Sequence, residues 1–156
     1  LYAGIGYYTL PLLVRAGAAH VHTCEWSEDA IHALKHNLEA NNVAECCTVH
    51  AGDNLLTVAD GGSAAEVLGS CDRVMIGLLP SSEEGWPLAL AALKPKGGWL
   101  HLHGNAPGGN EEEWAKSVVE QITEMDGRQV NLVNLVKVKW YAPHIRHCVL
   151  DIHIRC

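Results

Sequence analysis

The chain has 156 residues, 48% of them hydrophobic and 19% charged, enough to bury one core and too few for two. Its composition excludes collagen, a disulfide scaffold and a disordered tail, and no stretch approaches the roughly 18 uncharged apolar residues of a membrane span. Eleven Lys and Arg against 18 Asp and Glu give a net charge of −7, which disfavours a nucleic-acid grip spread over the whole surface.

Short β-type runs alternate with helical patterns, the rhythm of an α/β protein with a mostly parallel sheet and helices on both faces. Leu1 is neither a start methionine nor part of a signal peptide, so the sequence reads as a fragment. The turn Ala3-Gly4-Ile5-Gly6 feeds a predicted helix from Tyr8 to Ala18, and His20 to Trp26 is a predicted strand. Ser27 caps the next helix, with Glu28 and Asp29 in the first turn where negative charge meets the positive end of the dipole. Ala30, Ile31, Leu34 and Leu38 share one face of that helix, which ends near Asn41-Asn42. Thr48 to His50 is a short strand running into Gly52-Asp53-Asn54, and Thr57 to Ser70 is a polar, glycine-bearing stretch with a short helix and loop. Arg73 to Leu79 is an apolar strand stopped by Pro80. A helix from Glu84 to Leu93, a strand from Trp99 to His103 and a helix from Glu111 to Met125 follow. Val130 to Trp140 and His147 to Ile154 have no helix between them, so they should pair as an antiparallel hairpin.

Six cysteines, two of them adjacent at Cys46 and Cys47 and none in a Cys-x-x-Cys pair, read as reduced intracellular thiols. Among ten histidines, His101 and His103 share a strand face, and His144, His147 and His153 follow. No Asp, Glu or Cys joins them at ligand spacing, so no metal is expected.

A Gly-x-Gly turn opening a helix lets backbone N–H groups approach a ligand closely. Gly4-Ile5-Gly6 lacks the third glycine of the dinucleotide fingerprint, which argues against a nicotinamide cofactor. Glu25, nineteen residues after Gly6, ends a strand where a ribose-binding acid sits in such folds, and Asp53 ends the next, where a carboxylate accepts from an adenine amino group. Singly, each is as readily a solvated loop acid; together they fit an adenine nucleoside lying across the carboxyl ends of successive strands. Tyr2, Tyr7 and Tyr8 either line that pocket or pack in the core, and Trp86 and Trp140 either stack on a base or serve packing. No Ser/His/Asp or Cys/His set is present, and no catalytic base is assigned.

Three separated segments carry a family resemblance. Leu1-Tyr2-Ala3-Gly4-Ile5-Gly6-Tyr7-Tyr8-Thr9-Leu10-Pro11 resembles the cofactor loop of the S-adenosylmethionine enzymes that modify the guanosine next to the tRNA anticodon. Leu78-Leu79-Pro80-Ser81-Ser82-Glu83-Glu84-Gly85-Trp86 and Val138-Lys139-Trp140-Tyr141-Ala142-Pro143-His144 resemble the corresponding segments of the same family, the tRNA guanine N1-methyltransferases and wybutosine-synthesizing aminocarboxypropyltransferases. The similarity runs in order over essentially the whole chain. It implies a class I methyltransferase fold, a Rossmann-like sheet ending in the antiparallel β-hairpin, with S-adenosyl-L-methionine as cofactor. In the family a central strand ending in Asp precedes the glycine loop. Residues 1–156 are therefore expected to be an N-terminally truncated cofactor-binding catalytic domain, lacking that first strand and an upstream tRNA-binding region.

Residue by residue, the resemblance implies that Gly4 and Gly6 lie under the methionine part of the cofactor, with Tyr2 a candidate contact beside them, that Glu25 holds its ribose, and that Asp53 with Asn54 lies beside its adenine; Pro80 and Ser81 sit where the acceptor base meets it. Methylating members carry Asn-Leu-Pro or Asn-Pro-Pro there. The sequence here is Gly77-Leu78-Leu79-Pro80, which favours the aminocarboxypropyl branch. That branch transfers the 3-amino-3-carboxypropyl group to 4-demethylwyosine, a modified guanosine next to the anticodon of phenylalanine tRNA, in cytoplasmic wybutosine biosynthesis. Guanine N1 methylation stays open as an alternative, as does a noncatalytic nucleoside- or partner-binding module on the same fold. Residues 1–126 hold 6 basic and 17 acidic side chains, a balance of −11, and residues 127–156 hold 5 basic and 1 acidic, or +4. Any phosphate contact is thus expected from Arg128, Lys137, Lys139, Arg146 and Arg155, unless they form a merely solvated hairpin face. Most of the RNA grip is expected upstream.

Overall fold

In the computed structural model, which describes residues 1–156, chain contacts divide the molecule after Val67. The first unit is residues 1–67. Its opening helix, α1 (Thr9–Val14), is shorter than the apolar pattern suggested, because the chain leaves the helix at Arg15 and turns at Gly17, whose φ of +69° is left-handed. Strand β1 (Val21–Glu25) follows, then α2 (Glu28–Ala40), whose first turn is capped by Ser27 Oγ accepting from the Ala30 N–H at 3.4 Å. Strand β2 (Cys47–Ala51) lies parallel to β1, in register from Val21 opposite Cys47 to Glu25 opposite Ala51. Side chains alternate across this pair. Val21, Cys47 and Val49 pack on the core made by Leu13 of α1 and Leu34 and Leu38 of α2, while His22, Cys24, Thr48 and His50 occupy the other face. A short helix, α3 (Asn54–Thr57), starts on Asp53, and one 3₁₀ turn spans Ala65–Val67.

The second unit, residues 68–156, is built on a four-stranded sheet. Its elements are β3 (Arg73–Ile76), α4 (Trp86–Ala92), β4 (Gly97–Pro107), α5 (Glu111–Asp126), β5 (Gln129–Ala142) and β6 (Ile145–Arg155), and the strand order is β3-β4-β6-β5. The β3–β4 pair is parallel; β4–β6 and β5–β6 are antiparallel. One sheet face carries Val74, Ile76, Leu100, Leu102, Leu150, Ile152 and Ile154, all buried, and packs with Ala89 and Leu90 of α4 and Ala115, Val118 and Ile122 of α5.

The alternating α/β order and the terminal hairpin are as expected, and three further boundaries differ for physical reasons. Strand β3 stops at Ile76, and Gly77 to Leu79 run as a loop into a cis Leu79–Pro80 bond. The helix expected from Glu84 begins as a 3₁₀ turn, Glu83–Gly85, before α4. Strand β4 continues past His103 to Pro107 because β6 runs beside it throughout, from Gly97 opposite Arg155 to Pro107 opposite Ile145. The turn joining β5 and β6 places His144 at φ +59°. No helix is long and apolar enough to cross a membrane.

Candidate functional site

Glu25 is the last residue of β1 and only 9% exposed. A carboxylate so placed needs partners, and three backbone N–H groups supply them. Gly4 donates to Oε2 at 2.7 Å, and Trp26 and Ser27 both donate to Oε1 at 3.0 Å. The Ala3 N–H donates to the Cys24 carbonyl at 3.0 Å, so the glycine turn is stitched to the end of β1. The turn's backbone is left-handed at Tyr2 (φ +60°), Gly4 (+56°) and Gly6 (+103°). Gly6 is also closed in by packing, since a Cβ there would stand 3.0 Å from Leu34 Cδ1.

The Gly52 N–H donates to the Glu25 carbonyl at 2.9 Å, which brings the carboxyl ends of β1 and β2 side by side. Asp53 follows at once, exposed, with Oδ1 accepting from the Leu55 N–H at 2.9 Å as the cap of α3. Asn54 is buried. Both oxygens of Glu25 accept two hydrogen bonds when saturated. Oε1 is filled, and Oε2 keeps one acceptor position. The fold thus gathers Tyr2, Gly4, Gly6, Glu25, Asp53 and Asn54 in the first unit around one strand edge.

Pro80 and Ser81 belong to the second unit and are exposed just after β3. The Pro80 carbonyl accepts from the Asn105 N–H at 3.1 Å, and Ser81 Oγ accepts from the Glu83 N–H at 3.3 Å. Trp86, a candidate for base stacking, is 2% exposed and donates its indole N–H to buried Ser82 at 3.2 Å, so it serves the core. Trp140 is exposed, with the Arg146 guanidinium 3.9 Å from its ring centroid. Tyr7 and Tyr8 are also exposed. Sequence reasoning passed over Trp26, which is 78% exposed immediately beside Glu25; an aromatic residue directly after a strand-end acid was the available signal.

Most hairpin cations are engaged within the protein. Arg128 pairs with Asp126 and donates to the carbonyls of Lys94 and Leu90, and this pairing holds the Asp126 carboxyl below its ordinary pKa. Buried Glu111 receives Lys137 at 3.4 Å and Arg146 at 3.1 Å, Lys137 also reaches Glu112 at 2.8 Å, and Arg155 donates to His153 at 2.9 Å. Four of the five cations expected to meet phosphate therefore have intramolecular partners, and Lys139 remains. The histidines of the same sheet are paired too. His101 Nδ1 lies 2.7 Å from Asp151 Oδ1, an acid that sequence spacing did not reveal. His103 and His147 share a 3.0 Å contact, and burial, followed by the neighbouring His147, pushes the His103 pKa down to about 4.

The architecture is that of a class I methyltransferase. Residues 1–133 match the TRM5/TYW2 methyltransferase domain, and the chain belongs to that family. It is 46% identical over 160 residues to the tRNA wybutosine-synthesizing protein 2/3/4 of Arabidopsis thaliana, covering 99% of this chain and 15% of that protein. To the tRNA wybutosine-synthesizing protein 2 homolog of Danio rerio it is 41% identical, covering 99% of this chain and 45% of the relative. The chain thus spans less than half the length of these relatives. Among solved structures it resembles P. horikoshii TYW2 in complex with MeSAdo, with a TM-score of 0.86 and 28% identity over 99% of this chain and 55% of that one. M. jannaschii TYW2 in complex with AdoMet gives a TM-score of 0.85 and 25% identity over 99% and 66%.

Proposed function

We propose that this chain is the S-adenosyl-L-methionine-binding catalytic domain of an enzyme that transfers the 3-amino-3-carboxypropyl group to 4-demethylwyosine next to the anticodon of phenylalanine tRNA. The observation that carries this reading is the Gly4 turn held on the Glu25 carboxylate beside Asp53, in a family whose members named above are wybutosine-synthesizing proteins. The remaining acceptor position of Glu25 Oε2 takes a ribose hydroxyl. Asp53 and Asn54 flank the adenine, and Tyr2, Gly4 and Gly6 lie along the methionine part. Pro80 and Ser81 meet the acceptor base.

Bound S-adenosylmethionine supplies a sulfonium that activates the three carbons attached to it. Which carbon reacts is a matter of aim, so the residues of this chain contribute positioning more than acid or base chemistry. In the proposed transfer the bond from sulfur to the aminocarboxypropyl carbon breaks, its electron pair stays on the sulfur of released methylthioadenosine, and the carbon bonds to the base, which gives up a proton to solvent. Gly77-Leu78-Leu79-Pro80, without the Asn of methylating members, supports this branch over guanine N1 methylation. The acidic balance of residues 1–126 and the engaged hairpin cations support a tRNA grip made mainly by parts of the full-length enzyme outside these residues. The reading places the enzyme in the cytoplasm and assigns no metal to the transfer.

Incubating the full-length protein with labelled S-adenosylmethionine and tRNA carrying the modified guanosine should release methylthioadenosine. S-adenosylhomocysteine instead would overturn the reading in favour of methylation. Cofactor binding without any product from competent tRNA would overturn it in favour of a noncatalytic module.

A further inference from the structure

We propose that His22, His50 and Glu66 form a binding site for a divalent transition-metal ion of the zinc class, independent of the transfer chemistry. In the parallel β1–β2 pair Cys24 stands opposite His50 and His22 opposite Thr48, so the two imidazoles lie diagonally on one sheet face, the face away from Leu34 and Leu38. His22 Nδ1 and His50 Nε2 are 3.0 Å apart. Zinc–nitrogen bonds of about 2.0–2.1 Å at a tetrahedral angle set two ligand nitrogens roughly 3.3–3.4 Å apart, so a shift of a few tenths of an ångström opens the pair around an ion.

The third donor comes from the turn Ala65–Val67. One donor atom from each of His22, His50 and Glu66 lies within 4.8 Å of the other two; the carboxylate rests 4.0 Å from His50 Nδ1, the ring nitrogen other than the one that faces His22, so it swings toward Nε2 to share an ion with both imidazoles. Glu66 is exposed, and its side chain is long enough to close that remaining distance, whereas both histidines are fixed on strands and His50 is buried. Two imidazoles and one carboxylate, with a fourth position open to water, suit zinc and its neighbours; magnesium and calcium prefer oxygen donors throughout. His20 donates or accepts at Thr48 Oγ1 (2.9 Å) and meets the His22 ring edge-on at 5.0 Å, which steadies that ring. His22 and His50 each stand three residues before an acid of the nucleoside site, Glu25 and Asp53. A bound ion would clamp β2 to β1 and fix the spacing of those acids.

Metal-free full-length protein titrated with Co²⁺ should develop a saturable visible absorption at one equivalent, displaced by Zn²⁺, and Zn²⁺ should raise its Tm by at least about 2 °C. His22→Gln should abolish the signal. Glu66→Gln, an exposed change with little bearing on folding, should weaken Co²⁺ binding at least about tenfold. His36→Gln on α2 and Cys46→Ser should leave it unchanged. Absence of a saturable Co²⁺ spectrum in the parent protein would overturn the proposal, as would unaltered affinity in Glu66→Gln or loss of binding in Cys46→Ser.

Discussion

Because the N–H groups of Gly4, Trp26 and Ser27 already occupy the Glu25 carboxylate, its charge orders the glycine turn before any ligand arrives. Glu25→Gln replaces one oxygen by an NH₂ group that faces N–H donors. A hydrogen bond to a charged group contributes about 1.5–3 kcal/mol, so the cofactor affinity of the full-length protein, measured by calorimetry, should fall about 10- to 100-fold, and Tm should fall with it. Unchanged affinity would show that the turn forms without the acid. The meeting of the glycine turn with the strand-end acid was legible, because a Gly-x-Gly turn and strand-end acids are local patterns. What was not legible depended on exposure or on distant pairing. Trp86 and Trp26 look alike in sequence, yet one is 2% and the other 78% exposed. His22 and His50 are 28 residues apart and meet only through the β1–β2 register, and Asp151 reaches His101 across fifty residues in the same way.

Elements pack closely where a side chain is missing. Gly104 lies in β4 beneath α5, and a Cβ there would be 2.5 Å from Trp114 Cζ2. Gly104→Ala should therefore destabilise the full-length protein by about 1–3 kcal/mol, the usual cost of overpacking. Trp114→Leu in the same chain should recover part of that loss, so denaturant unfolding of the two single variants and the double should be non-additive. Strictly additive costs would mean that the indole does not limit the approach of the helix. The sequence read this region as strand, helix and hairpin, which is correct, because the periodicity of α5 and the long β-type runs are strong signals. It understated β4, whose Gly104-Asn105-Ala106-Pro107 end has little β propensity and is strand only because β6 pairs with it. Strand β5 breaks period-two alternation at three register shifts, between Leu132 and Asn134, Lys137 and Lys139, and Trp140 and Ala142. Its outward apolar residues could not be sorted from core residues by pattern.

For the whole molecule, counting charges located the cations in the hairpin correctly, but a count cannot see that Glu111 and Asp126 hold three of them. Length alone likewise argued for one core, whereas contacts concentrate in residues 1–67 and 68–156. These units differ in the means of their stability. The first rests on a two-stranded sheet, a marginal structure by itself, with a small core on one face centred on Leu13, Leu34 and Leu38. The second has four strands and a long hairpin with Leu100, Leu102, Leu150, Ile152 and Ile154 all buried. Strands β1 and β3 each pair on one edge only. The 156-residue chain alone should therefore lose structure in two steps. Hydrogen exchange should find β1 and β2 amides opening well before those of β4 and β6, and the chain should bind cofactor poorly. The full-length protein should show higher β1–β2 protection and a single transition. A single sharp melt of the 156-residue chain, with uniform protection across both units, would show that residues 1–67 need no strand from outside.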